Sequence, residues 1–224
     1  MFNSKYSNLL TVLLVVVIIA IVGLIGFLGY DIYRKFYIDK DANDFMERYE
    51  EQIRNTTVEE KPTEVTNTFI DPGNDTLNSI GAPSSNKPAS QYTYKGFTVL
   101  GTIEIPKSNV KYPVLNSYTP KALETAVCYY YGPGLNEVGN TTIAGHNYRS
   151  GAFFGKNKKL VNGDIIYITD NSGKKVKYTI YNTYTTTPND GEYLTRDTAG
   201  KREISLTTCT DDSKGRLIIW ARES

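Results

Sequence analysis

Histidine occurs once in the 224 residues, at His146, and cysteine only twice, at Cys128 and Cys209. That scarcity excludes a structural zinc centre, which needs four Cys or His ligands close together; neither CxxC spacing nor a histidine cluster is present. No metal and no cofactor is expected. Charge of one sign is also missing: 25 basic and 24 acidic side chains leave a net charge of +1. With no basic stripe to neutralise phosphates, nucleic acid is not expected as a partner. The hydrophobic share of 40% suits one globular domain rather than a polytopic membrane protein. Tyrosine, by contrast, is abundant at 18 residues, which favours β-structure because the ring packs while the hydroxyl stays wet.

One long uncharged run is present, LLTVLLVVVIIAIVGLIGFLGY from Leu9 to Tyr30. At 1.5 Å per residue it spans about 33 Å, enough to cross a bilayer core. It lacks the small-residue cleavage site of a signal peptide, so residues 1–30 are expected to be an uncleaved transmembrane anchor. The flanking charges conflict on orientation: Lys5 lies on one side, and Arg34, Lys35 and Lys40 on the other, which by strict count favours a cytoplasmic C-terminal part. Long domains are translocated regardless of such charges, so the chemistry of the C-terminal part has to decide. Residues 31–91 are expected to hold a juxtamembrane helix, from Ile32, Phe36, Phe45, Tyr49 and Ile53 at helical spacing, and then a flexible spacer. That spacer, Thr56 to Ser90, is rich in Thr, Asn, Ser, Pro and Gly without helical or strand period, and its Asp71-Pro72-Gly73 reads as a turn.

From Tyr92 onward, short β-type runs alternate with turns, so 92–224 is expected to be one mainly antiparallel β domain. The strands predicted are Phe97–Ile105, Val110–Leu115, Thr141–Ala144, Asp164–Thr169, Val176–Tyr184, Ile204–Cys209 and Leu217–Ala221. Thr119 caps a short helix with Pro120 at its first position, and Asn171-Ser172-Gly173 forms a hairpin turn.

Three side chains invite chemistry. His146 ends the strand Thr141–Ala144, a rigid mount from which a side chain projects, although a lone histidine is usually structural. Cys209 ends Ser205–Cys209 at a strand-to-loop edge among polar neighbours, where a thiolate can be reached and tuned, although a free cysteine is most often a small buried hydrophobe. Cys128, in the apolar and aromatic run Ala126–Tyr131, reads as packing. A disulfide between the two cysteines stays open for an extracellular domain. Arg216 opens the last strand, where a guanidinium lowers a thiol pKa or stabilises an oxyanion. A solvated surface arginine is the ordinary alternative, and Arg222 is the competing candidate.

Ala144-Gly145-His146, Leu206-Thr207-Thr208-Cys209 and the strand-opening Arg216 together resemble the sortase catalytic signature. The likeness runs from about Phe97 to Ala221 and includes Ile105-Pro106, Tyr112-Pro113-Val114 and Asn140-Thr141-Thr142. It implies an eight-stranded β-barrel with short helices, preceded by the transmembrane helix. It also implies a cysteine transpeptidase on the outer face of the cell membrane, with a single membrane pass. Such an enzyme cuts an LPxTG-like sorting signal in secreted proteins and passes the acyl group to an amine of a peptidoglycan precursor or another surface protein. The catalytic residues implied are Cys209, His146 and Arg216; Thr208, Thr207 and Asn147 are expected to bind substrate.

Ser205 stands where the family usually has threonine and keeps the hydroxyl. Only Glu137 lies where some relatives carry a calcium-binding acidic cluster, so no metal requirement is expected. Tyr184 to Glu203 is too short for the extra helix of the sortase B type, which leaves the short-loop A, D and E types. No second apolar span follows Trp220, which favours wall anchoring over pilus polymerisation. Two other readings stand beside this one: a cysteine hydrolase releasing product to water, and a non-catalytic surface β-domain.

Overall fold

A computed structural model describes residues 4–58 and 92–224. The turn expected at Asp71–Gly73, and the spacer beyond Val58, lie outside the described residues. Helix α1 (Ser4–Val58) runs without a break from the apolar stretch through the expected juxtamembrane segment. Its first half, from Leu9 to Tyr37, exposes nearly every large apolar side chain, and the helix is long and apolar enough to cross a membrane.

The second half behaves differently. Ala42, Phe45, Met46 and Tyr49 recur at three- and four-residue spacing, form one stripe, and are buried. Phe45, Met46 and Tyr49 pack with Tyr92, Tyr94, Val99, Leu115, Ala122, Ala126 and Cys128 into one cluster, while Ala42 joins the barrel core. At about 2 kcal/mol gross per large apolar side chain, this stripe is a substantial docking surface. Ile32 and Phe36, expected in the same stripe, remain exposed.

Among the described residues nine strands follow: β1 (Thr93–Tyr94), β2 (Phe97–Ile105), β3 (Val110–Leu115), β4 (Val127–Tyr131), β5 (Gly139–Ala144), β6 (Ile165–Asp170), β7 (Lys175–Thr186), β8 (Arg202–Cys209) and β9 (Arg216–Glu223). Their order is β1-β2-β3-β4-β5-β8-β9-β7-β6, and β6 pairs back onto β2. Strands β2 to β9 thus close an eight-stranded barrel, with β1 as a short addition. Six of its pairings are antiparallel, while β3–β4 and β5–β8 are parallel. Closure is tight at Gly101, where a Cβ would sit 2.3 Å from the Thr169 carbonyl oxygen, so only glycine lets β2 and β6 approach there.

Ile103, Ile105, Ile143, Ile166, Ile168, Ile180, Ile204, Leu206 and Ile219 fill the barrel. Along β8 the alternation places Ile204 and Leu206 inward. Helix α2 (Pro120–Thr125) begins as expected: the Thr119 hydroxyl accepts a bond from the Ala122 amide at 3.2 Å, with Pro120 in the first turn. The Asn171–Gly173 turn is closed by Asp170, whose Oδ1 accepts from the Ser172 and Lys174 amides. Strand β4 was not expected as a strand; Val127, Cys128 and the three tyrosines after it bridge β3 and β5.

Candidate active site

Strands β5 and β8 run side by side in the same direction, with Ala144 opposite Thr207. His146 and Cys209 each lie two residues past that pair, at equivalent ends of neighbouring strands. The ladder extends by one bond, from the Gly145 amide to the Thr207 carbonyl at 3.2 Å. Thr208 Oγ1 donates to the Gly145 carbonyl at 2.7 Å, and Asn147 Nδ2 donates to the Cys209 carbonyl at 2.9 Å and to Asp211 Oδ1 at 3.0 Å. The residues on either side of His146 are therefore bonded to Cys209 or the residues beside it. On the other flank, β8 and β9 are antiparallel and their last pair is Cys209 opposite Arg216. The connecting turn is held by Thr210, whose amide donates to the Gly215 carbonyl at 3.0 Å and whose hydroxyl accepts from the Gly215 amide at 2.9 Å.

His146, Cys209 and Arg216 are all half-buried, so each is reachable yet partly shielded from water. Burial holds the His146 imidazole below its usual pKa; the Arg34 cation acts in the same direction and Glu124 opposes it. A cleft of about 840 Å³ opens beside Cys209, lined by Asn147, Phe154, Thr186, Thr208, Cys209 and Leu217 among others. Lys158 and Asp211 form an ion pair at 2.6 Å on its wall.

Thr208 reaches this cleft, but its hydroxyl is engaged by the backbone. Thr207 is buried, with its hydroxyl 3.4 Å from that of Tyr193. Asn147 lines the cleft and ties the His146 segment to the Cys209 segment. Arg222 sits at the far end of β9, where its Nε donates to Glu203 at 2.6 Å and its guanidinium stacks on Tyr181. Both cysteines are free. Cys128 is fully buried on β4, opposite Ala144, and burial pushes its thiol up to about 12.

A group of tyrosines was not singled out from sequence. Burial raises the Tyr118 phenol, Tyr130 adds to this and the Arg216 cation opposes it, and the Tyr118 ring lies 4.2 Å from that of Tyr130. Burial likewise raises Tyr193, with its hydrogen bond to Thr207 and the Arg216 cation opposing. These residues come from the segment before α2, from β4 and from the β7–β8 connection. Nothing in their spacing announces a common wall, because distant segments supply it.

The sortase domain family model matches residues 103–224, and the chain belongs to the sortase family. Sortase A of Bacillus anthracis is 32% identical over 124 residues, which are 54% of this chain and 58% of that protein. The chain thus aligns with somewhat over half the length of this relative. The solved structure of sortase A from Corynebacterium diphtheriae is similar with a TM-score of 0.52 and 26% identity, covering 57% of this chain and 61% of that one. A sortase D5 transpeptidase from Clostridium perfringens shares the fold over 83% of this chain and 97% of its own, with a TM-score of 0.54 and 24% identity.

Proposed function

We propose that the protein is a membrane-anchored cysteine transpeptidase that cleaves an LPxTG-like sorting signal and transfers the acyl group to a cell-surface amine. One observation carries this reading: in a chain of this family, the ends of β5, β8 and β9 bring His146, Cys209 and Arg216 to one edge of the barrel. The thiolate of Cys209 attacks the threonine carbonyl carbon, and Arg216 faces the oxyanion that develops. His146, as imidazolium, gives its proton to the departing glycine amine, and the C–N bond breaks to leave a thioester. The incoming amine then attacks, His146 takes its proton, and Cys209 leaves as thiolate. Because burial keeps the imidazole mostly neutral near pH 7, the form ready to donate a proton is a minority of the resting enzyme.

In this reading residues 1–30 anchor the chain, 31–91 link anchor to barrel, and the 92–224 catalytic domain lies outside the cell. The positive charges after the anchor are partly engaged by the chain itself: Lys35 pairs with Asp39, and Arg34 contacts Tyr148.

The test incubates the full chain in detergent micelles with a panel of LPxTG-like peptides and an amine, followed by mass analysis. The expected product is the peptide cut after threonine and joined to the amine, with none from Cys209→Ala. Release to water despite saturating amine would instead establish a hydrolase. No cleavage across the panel and no adduct on Cys209 would overturn the reading.

A further inference from the structure

Four aromatic rings stand in a row from α1 to His146. The Tyr112 ring lies 5.1 Å from Phe153, Phe153 lies 5.6 Å from Tyr148, and Tyr148 lies 5.0 Å from His146. Helix α1 touches this row at two points. The Tyr112 hydroxyl donates to Asp39. At the ring next to His146, the Arg34 guanidinium stands 4.8 Å over Tyr148, and its Nη2 is 3.3 Å from the Tyr148 hydroxyl.

The loop between His146 and Phe154 folds back on itself. The Phe154 amide donates to the His146 carbonyl at 3.0 Å, and Asn147 pairs with Phe153. Phe153, fully buried, adopts φ of +51°. A bulky residue in the left-handed region costs about 1–3 kcal/mol and persists only where its surroundings over-determine it. Here the surroundings are the barrel on one side and Tyr112, Tyr148 and α1 on the other.

We infer that Arg34 is a positioning residue for His146, acting through Tyr148, so that the helix leaving the membrane anchor is a working part of the active site. Arg34 lies four residues beyond Tyr30, about one helical turn past the apolar stretch, so a single rigid helix connects the bilayer to the row of rings. The inference rests on the reading of His146 as the acid/base. The charged groups bearing on the imidazole are Arg34 from α1 and Glu124 from α2, with Cys209 and Arg216 at the neighbouring strand ends.

His146 is the sole histidine, which makes it a single NMR probe in a full-length chain carrying a histidine-free tag in micelles. The imidazole of wild type, Arg34→Ala and Arg34→Lys is titrated, and peptide turnover is measured on the same samples. In Arg34→Ala the cation and the cover over Tyr148 are both lost, so the titration midpoint moves up. kcat falls about tenfold while KM changes little, the pattern of a displaced acid/base. Arg34→Lys keeps the charge without the flat stacking group and lies between the two. A titration and a kcat within twofold of wild type in a folded Arg34→Ala would overturn the inference. So would a lowered melting temperature with an unmoved titration in both variants, which is the mark of a purely structural arginine. Because the titration is read without substrate, it stands or falls separately from the transpeptidase reading.

Discussion

Glu203 is a carboxylate buried within β8, and the structure sets the cost of neutralising it. It accepts from the Tyr181 hydroxyl at 2.6 Å, from Arg222 Nε at 2.6 Å and from Arg196. Arg196 also donates to Asn140 Oδ1 at 3.0 Å, and Asn140 Nδ2 donates to the Tyr193 and Leu194 carbonyls. One carboxylate therefore joins β5, β7, β8, β9 and the β7–β8 connection that brings Tyr193 to the site. Glu203→Gln keeps the shape but leaves the Arg196 guanidinium, whose side chain is 11% exposed, without its counter-charge. Removing one partner of a buried pair costs about 3–5 kcal/mol. The Arg222 side chain is 44% exposed, so water screens its share and the lower end applies.

A loss of about 3 kcal/mol lowers Tm by about 10 °C for a domain of this size. Thermal unfolding by circular dichroism at pH 7 measures it. The cation partners and the tyrosine hydroxyl outweigh burial and hold the Glu203 carboxyl below its ordinary value. Its stabilisation is therefore fully present above the unfolded value, near 4.3, and is lost as pH falls through the lower folded value. The gap in Tm between wild type and variant should shrink as pH drops below about 4. A Tm within 3 °C of wild type at pH 7, or a gap that widens in acid, would refute the argument.

Arg216→Lys keeps the charge and loses the planar fork, so kcat should fall about 100-fold, and undiminished turnover would show that a point charge suffices. Cys128→Ala should retain most activity and cost about 1 kcal/mol, because it removes one sulfur from packing. Native alkylation near pH 7 should label Cys209 alone, since a thiol raised to about 12 carries almost no thiolate. Gly145→Ala would place a Cβ 2.9 Å from Phe154 Cδ2 and 3.0 Å from Val127 Cγ1. Overpacking there should lower stability by about 1–3 kcal/mol and reduce kcat by shifting the neighbouring His146; an unchanged Tm and kcat would contradict the packing described.

Much of the barrel was legible because its strands are short runs rich in β-branched and aromatic residues bounded by turn residues, although only β6 and the first half of β7 alternate in burial. Strands β2 and β3 match the expected spans, Thr119 and Pro120 announce α2, and Asn171–Gly173 announces a turn. Strand β4 escaped because Val127–Tyr131 is apolar or aromatic at every position, with no polar face to reveal a period of two. Its two sides differ only in what they pack against: the barrel core for Val127, and the cluster under α1 for Cys128. For the same reason Phe36 and Phe45 look alike on paper, yet only Phe45 meets the barrel. Glu203 sits at the second position of a largely polar strand, beside Arg202, and its burial follows from partners brought by other segments, Arg196, Arg222 and Tyr181.

Local chemistry in the chain was enough to determine an apolar helix able to span a bilayer, a β-rich C-terminal part, and a histidine, a cysteine and an arginine at strand ends. Those features depend on side chains a few residues apart. Tertiary structure alone decided that β5 and β8 run parallel and adjacent, that tyrosines from three segments gather near Arg216, and that α1 reaches His146 through Tyr148. Each joins residues distant in sequence, and such contacts are selected by the packing of the whole barrel rather than by any local pattern.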